Sequence, residues 1–290
     1  MSALIERAPA KVNLTLHLLR RRADGWHDLE SLVAFAGCGD TLTLEPGAQT
    51  SLAVDGPTAQ AAGAVDDNLV LKAVRALQAR VPGLLAGAFH LTKRLPAAAG
   101  IGGGSSDAAA ALRLLARANT IAFDDPRLLE AAREVGSDVP VCLDPHARMM
   151  SGRGETLGPA LALPPLFAVL VNPRVPLETK LVFARIGLAP GEELGFGKHP
   201  TVARGLSIDV LIPLLKRGRN DMEDAASVLA PIVGHVIAVL SAARGCKLAR
   251  MSGSGATCFA LFENCRAAAR TAAVIRRDHP EWWVKATVLR

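Results

Sequence analysis

The residues with the clearest chemical potential form a segment rich in glycine and serine that runs from Leu95 to Asp107. A predicted strand and a proline precede its glycines, and a predicted helix follows them. Glycines allow backbone N–H groups to converge on an anion, and a helix N-terminus adds the positive end of its dipole. The segment therefore predicts a phosphate-binding loop, although a short glycine run alone would also suit a flexible turn. The residues expected at the phosphates are Pro96, Gly100, Gly102, Gly103, Gly104, Ser105 and Ser106.

The serines at the end of this loop carry hydroxyl groups that suit a phosphate or a Mg²⁺ ion, and Ser106 is the candidate metal ligand. The loop differs from the P-loop of many nucleotide-binding proteins, because no Gly-Lys-Ser/Thr sequence follows its glycines. The sequence shows no clustering of histidine and cysteine that would suggest a zinc site.

Three shorter segments contain side chains that could act on a bound phosphate or alcohol. The first contains Lys11 and Asn13, the second contains Asp138, and the third is a glycine- and serine-rich turn at residues 251–257 between two predicted strands. Each also has a structural explanation: an exposed lysine at the start of a strand, a turn-forming aspartate between a helix and a strand, and a tight hairpin. What they mean depends on the elements that position them.

The first part of the chain has the pattern of a strand-rich domain. Residues 12–18 alternate with a period of two, which is typical of a half-buried strand. Asp66 and Asp67 can cap the helix that follows them, and Pro82-Gly83 can end it. The predicted strands are residues 12–18, 29–35, 41–45 and 88–92, and the predicted helices are residues 69–77, 107–118 and 126–135.

The second part of the chain follows a proline-rich stretch, residues 158–165, that suits a junction between domains. Its predicted elements are strand 167–171, helices 177–186 and 231–243, strands 247–251 and 257–262, helix 264–276 and strand 283–289. This order of elements is the split βαβ, or ferredoxin-like, pattern. We therefore predict an α+β fold with two domains, residues 1–157 and residues 158–290.

Composition indicates a soluble globular protein. Of its 290 residues, 50% are hydrophobic and 21% are charged, and its apolar runs are shorter than the ~18–20 residues that a membrane span needs. The N-terminal segment lacks the apolar core of a secretory signal. Its five cysteines are odd in number and form no Cys-x-x-Cys pair. We therefore expect a cytoplasmic protein with no membrane partner and no disulfide framework.

The net charge of +6 bears on the partners of the protein. The basic residues are scattered, and the densest run, Arg20–Arg22, has no interleaved aromatic residues on which bases could stack. We therefore expect no nucleic acid partner. A positive field also suits a phosphorylated small molecule.

The four segments, taken together and in this order, resemble the GHMP kinases, the family of galactokinase, homoserine kinase, mevalonate kinase and phosphomevalonate kinase. The resemblance implies an ATP:alcohol phosphotransferase that uses ATP and Mg²⁺. It also implies an N-terminal ATP-binding domain and a C-terminal ferredoxin-like domain that completes the substrate site. Arg22–His27 and Asp67–Val70 are similar to segments of the family members whose small-molecule substrate is a cytidine diphosphate methylerythritol, in the non-mevalonate route to isoprenoid precursors.

The resemblance further implies a role for each matching residue. Asp138 matches the base that accepts the proton of the substrate's 2-hydroxyl, and Lys11 matches the lysine beside it. An alcohol is a poor nucleophile, so a carboxylate placed to accept its proton assists the reaction. The other implied contacts are Asn13 at the substrate diol, Asn68 and Lys93 near adenine or ATP, His27 at the edge of cytosine, Phe183 stacked on cytosine, and Trp26, where relatives usually have tyrosine, stacked opposite Phe183.

Three other interpretations stay open on the sequence alone. Another GHMP kinase, of homoserine or mevalonate kinase type, would share the chemistry but would not need Trp26 and His27 to recognise a base. A non-catalytic nucleotide- or dinucleotide-binding module fits less well, because a Rossmann fold places its glycines in the first βαβ unit. A basic, strand-rich domain can also bind RNA, which a salt-dependent gel shift would reveal.

Overall fold

The structure of the protein, a computed structural model, describes residues 3–62, 64–197 and 199–290. Its strands are β1 (Leu4–Asn13), β2 (His17–Arg21), β3 (His27–Gly47), β4 (Ser51–Asp55), β5 (Ala86–Thr92), β6 (Arg148–Gly152), β7 (Thr156–Leu157), β8 (Leu166–Asn172), β9 (Cys246–Met251), β10 (Cys258–Phe262) and β11 (Trp283–Leu289). Its helices are α1 (Leu69–Gln78), α2 (Gly103–Ala118), α3 (Pro126–Val135), α4 (Val139–Leu143), α5 (Thr179–Ile186), α6 (Ile208–Arg217), α7 (Glu223–Leu229), α8 (Ile232–Ala242) and α9 (Cys265–Asp278). Within these described ranges, no helix has the length and apolar character needed to cross a membrane.

Two compact units, interleaved in sequence, make up the chain. The first unit contains the chain up to Lys11, Gly39–Ala97 and Gly102–Pro145, and the second contains Val12–Cys38, Ala98–Ile101 and His146–Arg290. Strand β3 is 21 residues long and contributes residues to both units. The predicted boundary between residues 157 and 158 therefore lies inside the second unit, and a division into domains at that boundary stays a prediction.

The first unit combines a small sheet with a group of helices. β5 pairs in parallel with β4 and antiparallel with residues 41–47 of β3. Helix α2 contacts α1 and α4, and α1 also contacts α3. Every residue of α2 from Ser106 to Ala116 is buried. Its many alanines explain this burial, because small side chains let neighbouring elements approach the helix on several sides.

The second unit contains an antiparallel sheet in the order β11-β8-β10-β9. Numbered along the chain, this order is 4-1-3-2, and α8 and α9 pack on these strands. The arrangement confirms the predicted ferredoxin-like pattern and the α+β class. Its core includes Val169, Val171, Val236, Leu240, Cys258, Ala260, Ala272 and Ile275.

The remaining strands of the second unit form around the first half of β3. Residues 27–30 of β3 pair with β2, and residues 29–33 pair with β6; both pairings are antiparallel. β6 pairs in turn with the short strand β7. This part of β3 is therefore held by neighbouring strands, and side chains two residues apart along it share a face.

Most predicted elements are present, and two have the predicted bounds, α3 at residues 126–135 and β11 at residues 283–289. The predicted strands 29–35 and 41–45 are parts of the single strand β3, because the chain between them stays extended despite its glycines. The predicted strand 12–18 is divided between the end of β1 and the start of β2.

Three local predictions are corrected by the structure. The cap of α1 is Asn68, whose Oδ1 accepts a hydrogen bond from Val70 N (2.9 Å), whereas Asp66 and Asp67 lie in a preceding 3-10 turn. Helix α2 begins at Gly103, four residues before its predicted start, because glycines at a helix N-terminus weaken the sequence signal. Asp138 precedes the short helix α4 and not a strand.

Helices α4, α6 and α7 were not predicted. α6 contains Pro213 in its interior, a residue that argues against a helix when the sequence is considered alone. α4 and α7 are five and seven residues long, too short to show a clear helical period.

Candidate functional site

A lysine and an aspartate form an ion pair in the first unit. Lys11 lies in β1, its side chain is buried, and its Nζ donates a hydrogen bond to Asp138 Oδ2 at 2.8 Å. Asp138 occupies the N-cap position of α4, yet its side chain makes no capping hydrogen bond. Its side chain is 35% exposed. The carboxylate is therefore held by an ammonium group and still accessible, which is what a proton acceptor for a bound alcohol needs.

The glycine at position 102 brings the predicted phosphate loop to this ion pair. Gly102 has φ +61°, in the left-handed region, and a Cβ atom there would lie 3.2 Å from Lys11 Cβ and 3.3 Å from Lys11 Cε. Both the backbone conformation and the lysine stem therefore require a glycine. The loop backbone passes directly over the side chain of Lys11.

Helix α2 starts immediately after this glycine, and its first turn consists of Gly103, Gly104 and Ser105. Gly102 is its N-cap and has no side chain to satisfy the free N–H groups of that turn. Those groups and the helix dipole can bind an anion, and the helix has 16 residues. The predicted phosphate-binding residues at the end of the loop therefore form the start of a long helix next to Lys11.

Asn68 lies at the start of α1, beside this turn of α2. A Cβ atom at Gly104 would lie 3.3 Å from the side chain of Leu69, the first residue of α1. The N-termini of α1 and α2 are thus neighbours. The expected role of Asn68 near adenine stays a prediction, and the Asn68 Oδ1 atom is already used to cap α1.

Lys93 belongs to a buried cluster of charged groups close to Gly103. Its Nζ donates to Asp40 Oδ2 (2.5 Å) and to Asp107 Oδ2 (2.7 Å), and the residue is 4% exposed. A Cβ atom at Gly103 would lie 3.7 Å from the same Nζ. The sequence predicted that Lys93 contacts ATP; the structure places its ammonium between two carboxylates, so a direct contact with ATP stays a prediction.

Burial and neighbouring charges in this cluster shift the pKa values of Asp107 and Lys93. Burial raises the pKa of Asp107 to about 7, against the opposing effect of Lys93, and the neighbouring Asp40 raises it further. Burial lowers the pKa of Lys93, yet the two carboxylates outweigh it and raise that pKa overall. Asp107 Oδ1 is buried without a hydrogen-bond partner, which agrees with a carboxyl group that titrates close to neutral pH.

Asp40 connects this cluster to the start of the loop. Its Oδ1 accepts hydrogen bonds from Arg94 N (2.5 Å) and Leu95 N (2.8 Å), and Pro96 follows in a buried position. Asp40 therefore fixes the path of the chain that enters the glycine segment. The sequence did not identify this residue, because it lies in the middle of a long strand with no motif around it.

Ser106, the candidate metal ligand, is almost fully enclosed. Its Oγ donates to Pro9 O (2.6 Å) and lies 3.4 Å from Cys142 Sγ, and the residue is 1% exposed. These contacts join α2 to β1 and do not suit a hydrated ion. In the described ranges, no group of three or more His, Cys, Asp or Glu residues is arranged to hold a metal.

In the second unit, Gly100, the first glycine of the segment, lies against the turn after β9. A Cβ atom at Gly100 would lie 2.4 Å from Ser252 O and 2.8 Å from Gly255 N. Ser252 Oγ donates to Gly100 O (3.0 Å), and Thr257 N donates to Ala99 O (3.1 Å). The two glycine-rich segments that the sequence singled out separately are therefore packed backbone to backbone.

Asn13 is held beside this turn. Its backbone N donates to Ser252 Oγ (3.0 Å), and its Nδ2 donates to Ser31 Oγ (2.8 Å). The residue is 3% exposed, and its Oδ1 is buried without a hydrogen-bond partner. A hydroxyl group of a ligand could supply the missing donor.

His27 and Phe183, both predicted at cytosine, stack on each other in the second unit. Their ring centroids are 4.3 Å apart and their planes differ by 16°. Burial, and then the charge of Arg21, lower the pKa of His27, so its ring is neutral at pH 7. Its Nε2 is buried without a hydrogen-bond partner. The two predicted residues therefore form one aromatic surface with an unused polar atom.

Trp26 directly precedes His27 in the chain and lies in the turn before β3. It is 53% exposed, and the guanidinium of Arg153 lies 4.9 Å from its ring centroid. The expected stacking of Trp26 on the base, opposite Phe183, stays a prediction.

Comparisons with known proteins show which family the chain resembles over its length. The family model for the GHMP kinases N terminal domain matches residues 68–144, and the model for the GHMP kinases C terminal region matches residues 209–281. A 4-diphosphocytidyl-2-C-methyl-D-erythritol kinase of Methylobacterium radiotolerans is 60% identical, over 100% of both chains.

Two solved structures extend the comparison. A crystal structure of a 4-(cytidine 5'-diphospho)-2C-methyl-D-erythritol kinase has a TM-score of 0.74 and 32% identity, over 99% of both chains. A homoserine kinase of Cytophaga hutchinsonii has a TM-score of 0.67 at 18% identity, over 100% of this chain and 95% of the other, and shares the fold. By its matching family models and its full-length relatives, the chain belongs to the GHMP kinase family.

Proposed function

We propose that the protein transfers the γ-phosphoryl group of ATP to the 2-hydroxyl of 4-diphosphocytidyl-2-C-methyl-D-erythritol, hereafter CDP-methylerythritol, in non-mevalonate isoprenoid precursor biosynthesis. The full-length relative at 60% identity, which bears the name of that kinase, supports the substrate. The observation that carries the chemistry is the Lys11–Asp138 pair at 2.8 Å, with Gly102 and the start of α2 against Lys11.

In this proposal Asp138 accepts the proton of the substrate hydroxyl as its oxygen attacks phosphorus. One carboxylate oxygen is bound by Lys11 and the other is available. The Lys11 ammonium stabilises negative charge that develops around the attacking oxygen. A positioned proton acceptor of this kind typically contributes roughly 10²- to 10⁴-fold to the rate.

ATP would bind with its phosphates at the first turn of α2, where Gly102, Gly103, Gly104 and Ser105 expose backbone N–H groups. Mg²⁺ would accompany ATP and neutralise charge on its phosphates. Mg²⁺ commonly keeps several water ligands and relies on substrate phosphates, so few protein ligands are required. Ser106 fits that ion poorly, since it is enclosed and donates to Pro9 O.

The cytidine group would bind at the His27–Phe183 surface. Stacking of a base on an aromatic side chain is worth roughly 1–3 kcal/mol, and the unused Nε2 of neutral His27 can bond to the base edge. Substrates without a base, such as homoserine or mevalonate, would leave that surface empty. We also propose a cytoplasmic location, supported by the cysteine usage of the sequence, which is odd in number and includes no Cys-x-x-Cys pair.

A coupled assay of ADP release tests this proposal. The panel contains CDP-methylerythritol, homoserine and mevalonate, each with ATP and Mg²⁺. We expect turnover with CDP-methylerythritol alone. Turnover with homoserine or mevalonate and none with the cytidine compound would replace the proposal with the other GHMP kinase interpretation.

A further inference from the structure

We infer that Ser31 is a positioning residue that fixes the orientation of the Asn13 amide, so that Asn13 recognises a substrate hydroxyl only as a hydrogen-bond acceptor. The inference rests on the proposed function, because it concerns the hydroxyl-bearing end of that substrate. It starts from three buried groups in the second unit, Asn13, Ser31 and the carbonyl of Thr15.

The hydrogen atoms of this group can be counted. The Ser31 hydroxyl has one hydrogen, which it donates to Thr15 O at 2.6 Å. Its oxygen can therefore only accept from Asn13, and the atom that lies 2.8 Å away must be the Nδ2 donor. A flipped amide would place Asn13 Oδ1 against an oxygen with no hydrogen to offer. Ser31 thus selects one of the two amide orientations.

The selected orientation leaves Asn13 Oδ1 as an unsatisfied acceptor. Asn13 is 3% exposed and Ser31 is fully buried, so water does not readily compensate. Asn13 Oδ1 lies 3.3 Å from the position of a Cβ atom on Gly253 and has no hydrogen-bond partner. A buried acceptor without a partner is unfavourable until a donor arrives.

The backbone of Asn13 is fixed as well. Its N–H is bonded to Ser252 Oγ, which itself donates to Gly100 O. The backbone bond to Ser252 and the Nδ2 bond to Ser31 hold Asn13 at both ends, so a ligand must bring the donor to Oδ1. An alcohol hydroxyl is such a donor. An ether or a carbonyl oxygen at the same place would face Oδ1 with no hydrogen and would be rejected.

His27 and Ser31 both lie in β3, four residues apart, so the alternation of side chains along a strand puts them on the same face. One face of this strand therefore carries the predicted base contact at one end and the residue that orients Asn13 at the other. This placement connects recognition of the nucleotide with recognition of the alcohol.

The test uses calorimetry to compare the binding of CDP-methylerythritol with that of CDP, which lacks the methylerythritol group and its hydroxyls. The parent protein should bind the former more tightly by about 10-fold, the gain from one well-placed hydrogen bond. Ser31→Ala should lose most of that difference and keep its affinity for CDP and ATP. Ser31→Thr, which retains the hydroxyl, should restore it.

Asn13→Ala provides the matched background. If Ser31 acts through Asn13, adding Ser31→Ala to Asn13→Ala should change the binding of CDP-methylerythritol by less than about 2-fold, since coupled residues are not additive. Additive losses, or equal losses for CDP and CDP-methylerythritol in Ser31→Ala, would show a purely structural role and overturn the inference.

Three further outcomes complete the test. Should Ser31→Ala fail to fold, Ser31→Cys is used instead, because it fills the same space with a weakly hydrogen-bonding sulfur. If Ser31→Cys kept the parent's full difference in affinity between CDP-methylerythritol and CDP, the inference would be overturned. A parent protein that releases ADP with CDP-methylerythritol while Ser31→Ala behaves identically would reject the role of Ser31 alone. A parent that neither binds nor phosphorylates that compound would reject the proposed function itself.

Discussion

Gly102 faces the side chain of Lys11 so closely that a Cβ atom on the glycine would lie 3.2 Å from the Cβ atom of the lysine. The relationship joins the loop that precedes α2 to the lysine that binds Asp138. The same contact distinguishes Gly102 from the other glycines of the loop, because the space available for a Cβ atom differs from one glycine to the next.

Gly102→Ala should therefore impair catalysis. An alanine at φ +61° is strained by roughly 1–2 kcal/mol and presses on the stem of Lys11, so kcat/KM should fall by about 10-fold or more. The matched control is Gly103→Ala, whose new Cβ atom would make only ordinary contacts of 3.7 Å with Leu95 and Lys93. Equal effects of the two substitutions in steady-state assays would contradict this account of the loop.

Asp138→Asn should lower kcat by roughly 10²-fold or more, the range for a lost general base, while KM for ATP stays near the parent value. Asp67→Asn, at a surface carboxylate that is 88% exposed, serves as the control. The Lys11→Ala, Asp138→Asn double variant should be little worse than Asp138→Asn, because the two residues act as a unit. A well-folded Asp138→Asn protein with full kcat would remove Asp138 from the mechanism.

The stability of the protein should depend on pH through Asp107. Its pKa in the folded state is raised to about 7 by burial, so its contribution is complete below its ordinary value near 3.8 and is lost as pH rises towards 7. The slope for one proton is up to about 1.4 kcal/mol per pH unit. Asp107→Asn, which is permanently neutral, should not lose stability over this range.

Urea unfolding at pH 5.5 and pH 7.5 measures this difference between parent and Asp107→Asn. The matched variant is necessary because His17, whose pKa is lowered to about 3 by burial and by neighbouring Arg219, has the opposite dependence on pH. Its neutral form is favoured in the folded state, so stability is lost as pH falls below about 6.5. Parallel pH profiles for the two proteins would exclude a neutral Asp107.

Phe183→Leu should weaken binding of the cytidine group. Loss of a stacking contact worth roughly 1–3 kcal/mol corresponds to a KM for CDP-methylerythritol about 5- to 150-fold higher, with no change in KM for ATP. Trp26→Leu is the comparison, since Trp26 lies against Arg153, whereas Phe183 stacks on His27. A larger increase in this KM for Trp26→Leu than for Phe183→Leu would show that the base depends mainly on Trp26.

The sequence predicted the parts of the site that lie in recognisable short segments. The phosphate loop, the turn at residues 251–257 and the pairing of Lys11 with Asp138 followed from short segments and from their resemblance to a family. The stacking of His27 on Phe183 did not follow, because the two rings come from distant parts of the chain.

Residues that act through long-range contacts and lie outside any recognisable motif were not predictable. Asp40 bonds to Lys93, Arg94 and Leu95 across more than 50 positions in sequence, and Ser31 bonds to Asn13 from a neighbouring strand. Neither lies in a recognisable motif, and serine or aspartate in a strand carries no signal by itself. Their roles appear only when the hydrogen bonds of the folded chain are counted.

The identity of the product tests the central claim most directly. CDP-methylerythritol and ATP are incubated with the parent protein and with Asp138→Asn, and the products are analysed by mass spectrometry and phosphorus NMR. The account predicts one added phosphate on the 2-hydroxyl, formed in equal amount to ADP by the parent and roughly 10²-fold more slowly by the variant. Phosphate on another hydroxyl, ADP without a phosphorylated alcohol, or an undiminished rate in the variant would contradict it.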